Sequence, residues 1–384
     1  MTAISSKNIL ISGWYGQCNA GDDAILDVFI EEATARMTGE ITVLSETPGN
    51  LTHVRALPHP VGFGRGSLGY LLDGTYFRHL KAVRHCDLFV LGGGGLLRDN
   101  TNWRNLVRLL DEIWIAKLFG RKVMLYAIGV GPFKTRLGKW LIARSVKLCD
   151  LITVRSEHCA ALLREIGIAP HRIHVVADPA FLLAQQSPAD PELAGLFEGK
   201  KKIGFYPTYA MLRANVAAGS HLKHIAAALD RLVESENVEI VAMPMSVRGD
   251  GFDDVRVARL IRAEMQHPTA MAIYEKRLTP AQLKWVSAQA MLNITVRLHA
   301  MIFSLGSGVP VVAINYEPKV ANVFATFNAP EYLVELDDRL GTALAEATAL
   351  CINNLESYAR HIADRGPLVN AMAARTFELM AALE

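Results

Sequence analysis

The stretch ITVRLHAMIFSLGSGVPVVAINYEPK, residues 294–319, reads as a strand ending near Val296, a helix from Leu298 to Ser307 and a second strand after Pro310. A buried apolar run, an amphipathic turn-and-helix and a second apolar run behind Gly and Pro make up a parallel β-α-β unit. The same alternation extends in both directions. Upstream in this half it gives strands at Ile203–Tyr206, Glu239–Met243 and Met271–Tyr274. Earlier in the chain it gives strands at Ile9–Ser12, Ile41–Leu44, Leu88–Leu91, Val123–Ile128, Leu151–Val154 and Ile173–Val176, with helices such as Asp22–Met37 and Trp103–Phe119 between them. A polar, Pro-containing stretch at Gln185–Lys202 separates the two series and reads as a linker.

The expected fold class is therefore α/β, with one doubly wound domain over residues 1–184 and a second over 203–336. Residues 337–384 are Ala-rich and helical in pattern, and read as a tail that packs on the domains. In such sheets ligands bind outside the carboxyl ends of the strands, so the strand-end loops hold the candidate site residues.

Within the opening segment, Arg297 and His299 occupy the strand-to-helix turn, and Lys319 lies beyond the end of the next strand. Neighbouring parallel strands end on one edge, so the three can converge. A single histidine there reads as a structural imidazole. Three cationic types on adjacent strand ends are harder to explain as packing, because unpaired buried cations are costly. Their natural partner is an anion.

Four other strand ends carry ligand-facing signals. GWYGQCNAGDDAIL (13–26) follows a strand and opens a helix, with glycines for tight turns and N–H groups for an anion. It lacks the dinucleotide spacing and the P-loop lysine. Asp22 and Asp23 read equally as helix-capping acids, while Asn19 and Asp22 are candidates for ligand contact. LGGGGLLRDN (91–100) places Arg98 and Asn100 just beyond four glycines. AIGVGPF (127–133) is a further glycine-ended strand, and TVRSE (153–157) sets Arg155 at a strand end, as a site residue or a surface ion pair.

The bulk numbers exclude several classes. With 384 residues, 51% of them hydrophobic, the chain can bury two cores and wholesale disorder is ruled out. A net charge of +2 argues against a nucleic-acid binder. Charge is uneven, however. Between Arg98 and Lys147 eleven Lys/Arg face three acids, a surface suited either to solvent or to phosphates on a substrate or membrane leaflet. Five scattered cysteines fit reduced, core-packed thiols. MTAISSKNILISG runs straight into a strand, and no apolar run reaches the ~18 residues of a membrane span. The expectation is a cytoplasmic chain, with any membrane contact peripheral to the inner face.

Taken in order, GWYGQCNAGDDAIL, LGGGGLLRDN, AIGVGPF, ITVRSEHCAALLREIGI, VADPAFLL and TVRLHAMIFSLGSGVPVVAINYEPKV resemble the polysaccharide pyruvyl transferase family over roughly residues 8–325. The resemblance implies two Rossmann-like domains in a GT-B-like arrangement with an interdomain cleft. It also implies phosphoenolpyruvate as donor, no cofactor or metal, and a sugar acceptor, lipid-linked or free, that becomes a pyruvyl ketal. By motif, Arg155, His299 and Lys319 fall where the family is thought to hold the donor, with Arg297 beside them. His299 is the expected general acid. Asp23 departs from the Glu of many relatives, and the tail adds nothing to the match. Two other functions fit the same features: a nucleotide-sugar glycosyltransferase, with Glu317 on a ribose, and a non-catalytic carbohydrate- or phosphate-binding protein.

Overall fold

Two all-parallel sheets organise the chain. The computed structural model describes residues 6–59, 74–99, 103–199, 201–213, 220–247 and 253–383. The first sheet has strand order β3-β2-β1-β4-β5-β6-β7, built from β1 (Ile9–Ser12), β2 (Ile41–Ser45), β3 (Arg55–Pro58), β4 (Leu88–Gly92), β5 (Lys122–Ile128), β6 (Leu151–Val154) and β7 (Ile173–Val175). The second runs β10-β9-β8-β11-β12-β13, from β8 (Lys202–Tyr206), β9 (Glu239–Ala242), β10 (Met271–Ile273), β11 (Leu292–Thr295), β12 (Val311–Asn315) and β13 (Leu333–Glu335). In each sheet the first strand is central and the order reverses beside it, between β1 and β4 and between β8 and β11. These are the switch points at which doubly wound sheets bind ligands. The α/β expectation holds.

The central strands are legible because they are buried on both faces. β1, β4 and β11 are buried along their whole lengths; β1 and β4 read as near-continuous apolar runs, while β11 also buries Asn293 and Thr295. The strands read from sequence appear within a residue or so of their observed ends. Two were not foreseen, β3 and β13. Both are edge strands: Arg-Ala-Leu-Pro is exposed or half-buried, and Leu-Val-Glu is three residues long, so neither carries an apolar run.

The polar stretch Gln185–Lys202 holds more structure than a bare linker. Asp190 caps a short helix, Pro191–Gly195, and its carboxylate also accepts from Tyr274 Oη and Lys276 Nζ, each at 2.9 Å. Gln186 N–H donates to Ala281 O at 3.1 Å.

The chain divides into two compact units. Unit 1 comprises residues 1–17, 25–179 and 370–384; unit 2 comprises 18–24 and 180–369. In unit 1, the end of helix Leu355–Ala381 closes the core: Phe377 packs against Tyr126 and Phe29, with ring centroids 5.6 and 6.3 Å apart, and Thr376 pairs with Thr153 at 3.0 Å. Four cysteines are buried and Cys18 is half-buried. Among the described residues no helix is long and apolar enough to cross a membrane.

Candidate functional site

In unit 2 the switch point is built around a carboxylate. Asp254 opens helix Asp254–Glu264 and is fully buried, while its neighbour Asp253 caps that helix by accepting from Arg256 N–H at 3.1 Å. The Asp254 carboxylate instead turns inward. Oδ1 accepts from Tyr209 N–H (2.8 Å) and Oδ2 from Met245 and Ser246 N–H (3.2 and 3.0 Å). Arg297 completes the shell, its guanidinium donating to Oδ1 at 2.6 Å. One buried charge thereby pins the loops leaving β8, β9 and β11.

Arg297 is also the N-cap residue of helix Leu298–Gly306. Burial works against its charge, yet the Asp254 carboxylate, with Tyr316 and Asp22 at longer range, outweighs that and holds its pKa above the ordinary arginine value. Its Nε is buried and has no hydrogen-bond partner among the described residues.

His299 is the second residue of the same helix, on the side of Gly21. A Cβ at Gly21 would fall 2.0 Å from His299 Nδ1 and 2.4 Å from Cγ, so the imidazole sits on a space that only glycine leaves open. Gly21 lies in the first turn of helix Ala20–Arg36, whose start belongs to unit 2. That turn is hooked onto the loop after β9 by Ala20 N–H donating to Met245 O at 3.2 Å. Asn19 Nδ2 donates to the Asp22 carboxylate, and Arg277 lies 3.7 Å from Asp23. Lys319 follows β12 in the first turn of helix Pro318–Phe327; its Nζ is 2.8 Å from Glu317 and 5.4 Å from the Tyr316 ring centroid. Helix Leu298–Gly306 has no side-chain cap, so its first-turn N–H groups remain for an anion; in helix Pro318–Phe327 the leading proline has no N–H and Val320 N–H donates to Glu317 O at 3.0 Å, which leaves the Lys319 N–H.

In unit 1 the glycine loops meet each other. Gly129 N–H donates to Gly94 O at 2.8 Å, Gly93 N–H to Tyr126 O at 2.9 Å, and a Cβ at Gly92 would lie 2.2 Å from Tyr126 O. Close backbone approach accounts for these glycines. Arg155 directly follows β6 and pairs with the buried carboxylate of Asp178 at 2.9 Å. Its guanidinium covers the glycine turn, since a Cβ at Gly129 would come within 2.9 Å of it. Arg98 lies just past that turn, its N–H on Leu96 O at 3.0 Å. Next to it, Asp99 gathers Thr135 N–H and Oγ1 at 2.7 and 2.6 Å, and these bonds outweigh its desolvation to hold its carboxyl below the usual range. Asn100 lies outside the described residues.

The unit 2 constellation, a buried Asp254–Arg297 pair beside an uncapped helix start at the switch point, is the setting in which the sequence comparisons fall. The sequence profile described as polysaccharide pyruvyl transferase matches residues 8–318. The chain belongs to the polysaccharide pyruvyl transferase family. The family match runs from β1 to the start of the helix that carries Lys319. A curated relative, the amylovoran biosynthesis protein AmsJ of Erwinia amylovora, is 23% identical over 256 residues, 63% of this chain. The match spans 61% of the length of that relative. Among solved structures, the UDP-N-acetylglucosamine 2-epimerase of Neisseria meningitidis bound to UDP-GlcNAc superposes with TM-score 0.62 at 12% identity, covering 98% of this chain and 99% of that one. Anabaena HepE in complex with UDP-glucose gives TM-score 0.63 at 12% identity, covering 98% of each chain. These likenesses concern the fold, the two-sheet α/β class of GT-B-like proteins.

Within this pyruvyl transferase family chain, Asn19, Asp22, Arg297, His299 and Lys319 belong to unit 2, and Arg98 and Arg155 to unit 1. Sequence reasoning read Gly21 as a turn glycine, whereas it is helical and makes room for His299, and it missed Asp254 and Asp178. The paired acids Asp253-Asp254 at a helix start were a signal for one cap and one surplus carboxylate. Among the described residues, no group of three or more His, Cys, Asp or Glu is placed to hold a metal.

Proposed function

We propose that this chain transfers the pyruvyl group of phosphoenolpyruvate to two hydroxyls of a sugar, forming a cyclic ketal and releasing phosphate. The observation that carries this reading is the seating of His299 on Gly21 at an uncapped helix start, next to a turn already neutralised by Asp254. Phosphoenolpyruvate brings a carboxylate and a phosphate. Lys319 is the point charge for one, and the first-turn N–H groups of helix Leu298–Gly306 serve the other. Arg297 spends one arm on Asp254, so it braces the turn and offers its remaining donors. In unit 1, Arg155 is likewise a held guanidinium, paired with Asp178.

His299 donates a proton to the methylene carbon, and C2 gains cationic character. A sugar hydroxyl attacks C2 and loses its proton to Asp22. The C2–O bond to phosphate breaks, and the second hydroxyl closes the ketal, its proton leaving with phosphate. Asn19 orients Asp22, while Arg98 and Asn100 serve the acceptor. The acceptor belongs to a surface polysaccharide or its lipid-linked precursor, modified on the cytoplasmic side.

The test is phosphate release from phosphoenolpyruvate across free, nucleotide-linked and lipid-linked sugars. His299→Ala and Lys319→Ala should each lower it by ~10²–10⁴-fold. Acceptor-independent binding of a nucleotide sugar with no phosphate release on any acceptor would sink the proposal.

A further inference from the structure

Helices Thr75–His85, Trp103–Leu118 and Arg136–Val146 of unit 1 pack side by side, the second touching both others. Together they carry nine Lys/Arg and two acids, and one of those acids, Glu112, is buried. This layer also holds most of the large apolar side chains that the described residues leave in solvent. Leu118 is 83% exposed, Leu137 57%, Trp140 54% and Trp114 48%. They are not scattered. Trp114 and Leu118 are four apart on one helix, and Leu137, Trp140 and Arg144 share a face of the next, at i, i+3 and i+7. The Trp114 indole N–H donates to Ser145 Oγ at 3.0 Å, which joins the two helices beneath the patch. Phe77, also exposed, shares its helix face with Lys81 and Arg84.

Exposed leucines beside tryptophans cost free energy in water unless something covers them. The charges around them indicate what does. Arg144 lies over the Trp140 ring at 5.5 Å, and Lys81, Arg84 and Arg136 are exposed. Lys117 and Lys139 are offset by Asp150 and Glu165, and buried Arg108 pairs with Glu46, so exposed Lys81, Arg84, Arg136 and Arg144 supply the positive rim. Tryptophan with an apolar body and a polar edge, leucine at the tip and cations at the rim match the interface of an anionic bilayer. We propose that this three-helix face docks on an anionic lipid surface. The inference goes beyond the pyruvyl transfer reading and stands or falls separately from it.

The experiment is co-sedimentation of the full chain with vesicles of phosphatidylglycerol and phosphatidylcholine in equal parts, and of phosphatidylcholine alone. The expected result is partition to the anionic vesicles that weakens with salt and is far lower on the neutral ones. Leu118→Asn with Trp140→Asn should reduce partition roughly tenfold or more, and Arg136→Glu with Arg144→Glu at least as much, with a shallower salt dependence. Thermal unfolding and phosphate release on a lipid-free acceptor report folding and chemistry independently. Partition that is absent from both vesicle types, or equal in wild type and variants, overturns the proposal. So does sedimentation showing that the same substitutions turn a dimer into a monomer, which would assign the face to a second copy.

Discussion

The imidazole of His299 rests on the Cα of Gly21, in a space that a methyl group would fill at 2.0 Å from Nδ1. Gly21 is helical and its φ is not positive, so its role here is room rather than backbone freedom. Gly21→Ala is therefore expected to improve local helix propensity while pushing the ring aside. Overpacking of this kind costs ~1–3 kcal/mol, and a catalytic imidazole moved by an ångström loses on the order of 10²-fold in rate. Thermal unfolding and phosphate release measure the two effects. In a His299→Ala background the same substitution should no longer destabilise. If Gly21→Ala costs as much stability there as in the wild type, the contact does not define the site.

That contact marks where sequence reasoning stops. β4 was legible because burial on both faces gives an unbroken apolar run, and β1, β8 and β11 because Ile, Leu, Phe and Tyr still dominate short segments bounded by turn signals. The strand-end position of Arg297, His299 and Lys319 followed from the same pattern. The partner of each charge did not. Asp254 and Asp178 sit far along the chain from Arg297 and Arg155, and nothing in a linear pattern distinguishes a buried carboxylate from a solvated one. The meeting of Gly21 with His299 is likewise a tertiary fact, since it joins the first helix of the chain to the turn after β11.

The Arg297–Asp254 pair gives a second expectation. Asp254 accepts three backbone N–H groups besides Arg297, so its removal orphans donors in three loops at once. Asp254→Ala should cost ~3–5 kcal/mol, the usual penalty for breaking a buried pair. Arg297→Lys should retain much of the stability, yet lower phosphate release, because an ammonium cannot hold Asp254 and offer further planar donors together. Denaturant unfolding alongside kinetics separates the two. A kinetically normal Arg297→Lys variant would leave Arg297 a brace only.

Lys284 is buried in helix Pro280–Ser287 with no carboxylate on it among the described residues, and its Nζ donates to Phe181 and Leu183 carbonyls at 2.8 and 2.7 Å. Burial lowers its pKa from 10.5 to about 8. Below pH 8 folded and unfolded chains both hold the proton. Between about 8 and 10.5 the folded chain releases it first, so this residue adds stability as pH rises through that window. The contribution should disappear in Lys284→Met, and the difference between the two Tm curves from pH 8 to 10.5 measures it. A constant difference would mean that Lys284 does not titrate there.

Acid sensitivity should come from unit 1. At the ends of β1 to β3, Glu112 accepts from Ser12 Oγ and lies 3.0 Å from His59 Nδ1, with buried Arg108 and His79 nearby. Desolvation pushes the Glu112 carboxyl up, but His59, Arg108 and His79 together outweigh it and hold the pKa at about 2, below the ordinary 4.5. His79 shifts down from 6.5, by burial first, with Glu112 acting against that shift and His59 adding to it. Both shifts act in the same direction. As pH falls below 6.5 the unfolded chain protonates its histidine before the folded one does, and from 4.5 towards 2 it protonates its glutamate first. The stability these two groups contribute is therefore full above pH 6.5 and is lost in two stages. His79→Phe should flatten the upper stage, Glu112→Gln the lower, and Tm measured from pH 7 to pH 3 reads both. A wild-type curve that stays level over that range would show that neither group titrates differently in the folded and unfolded chains.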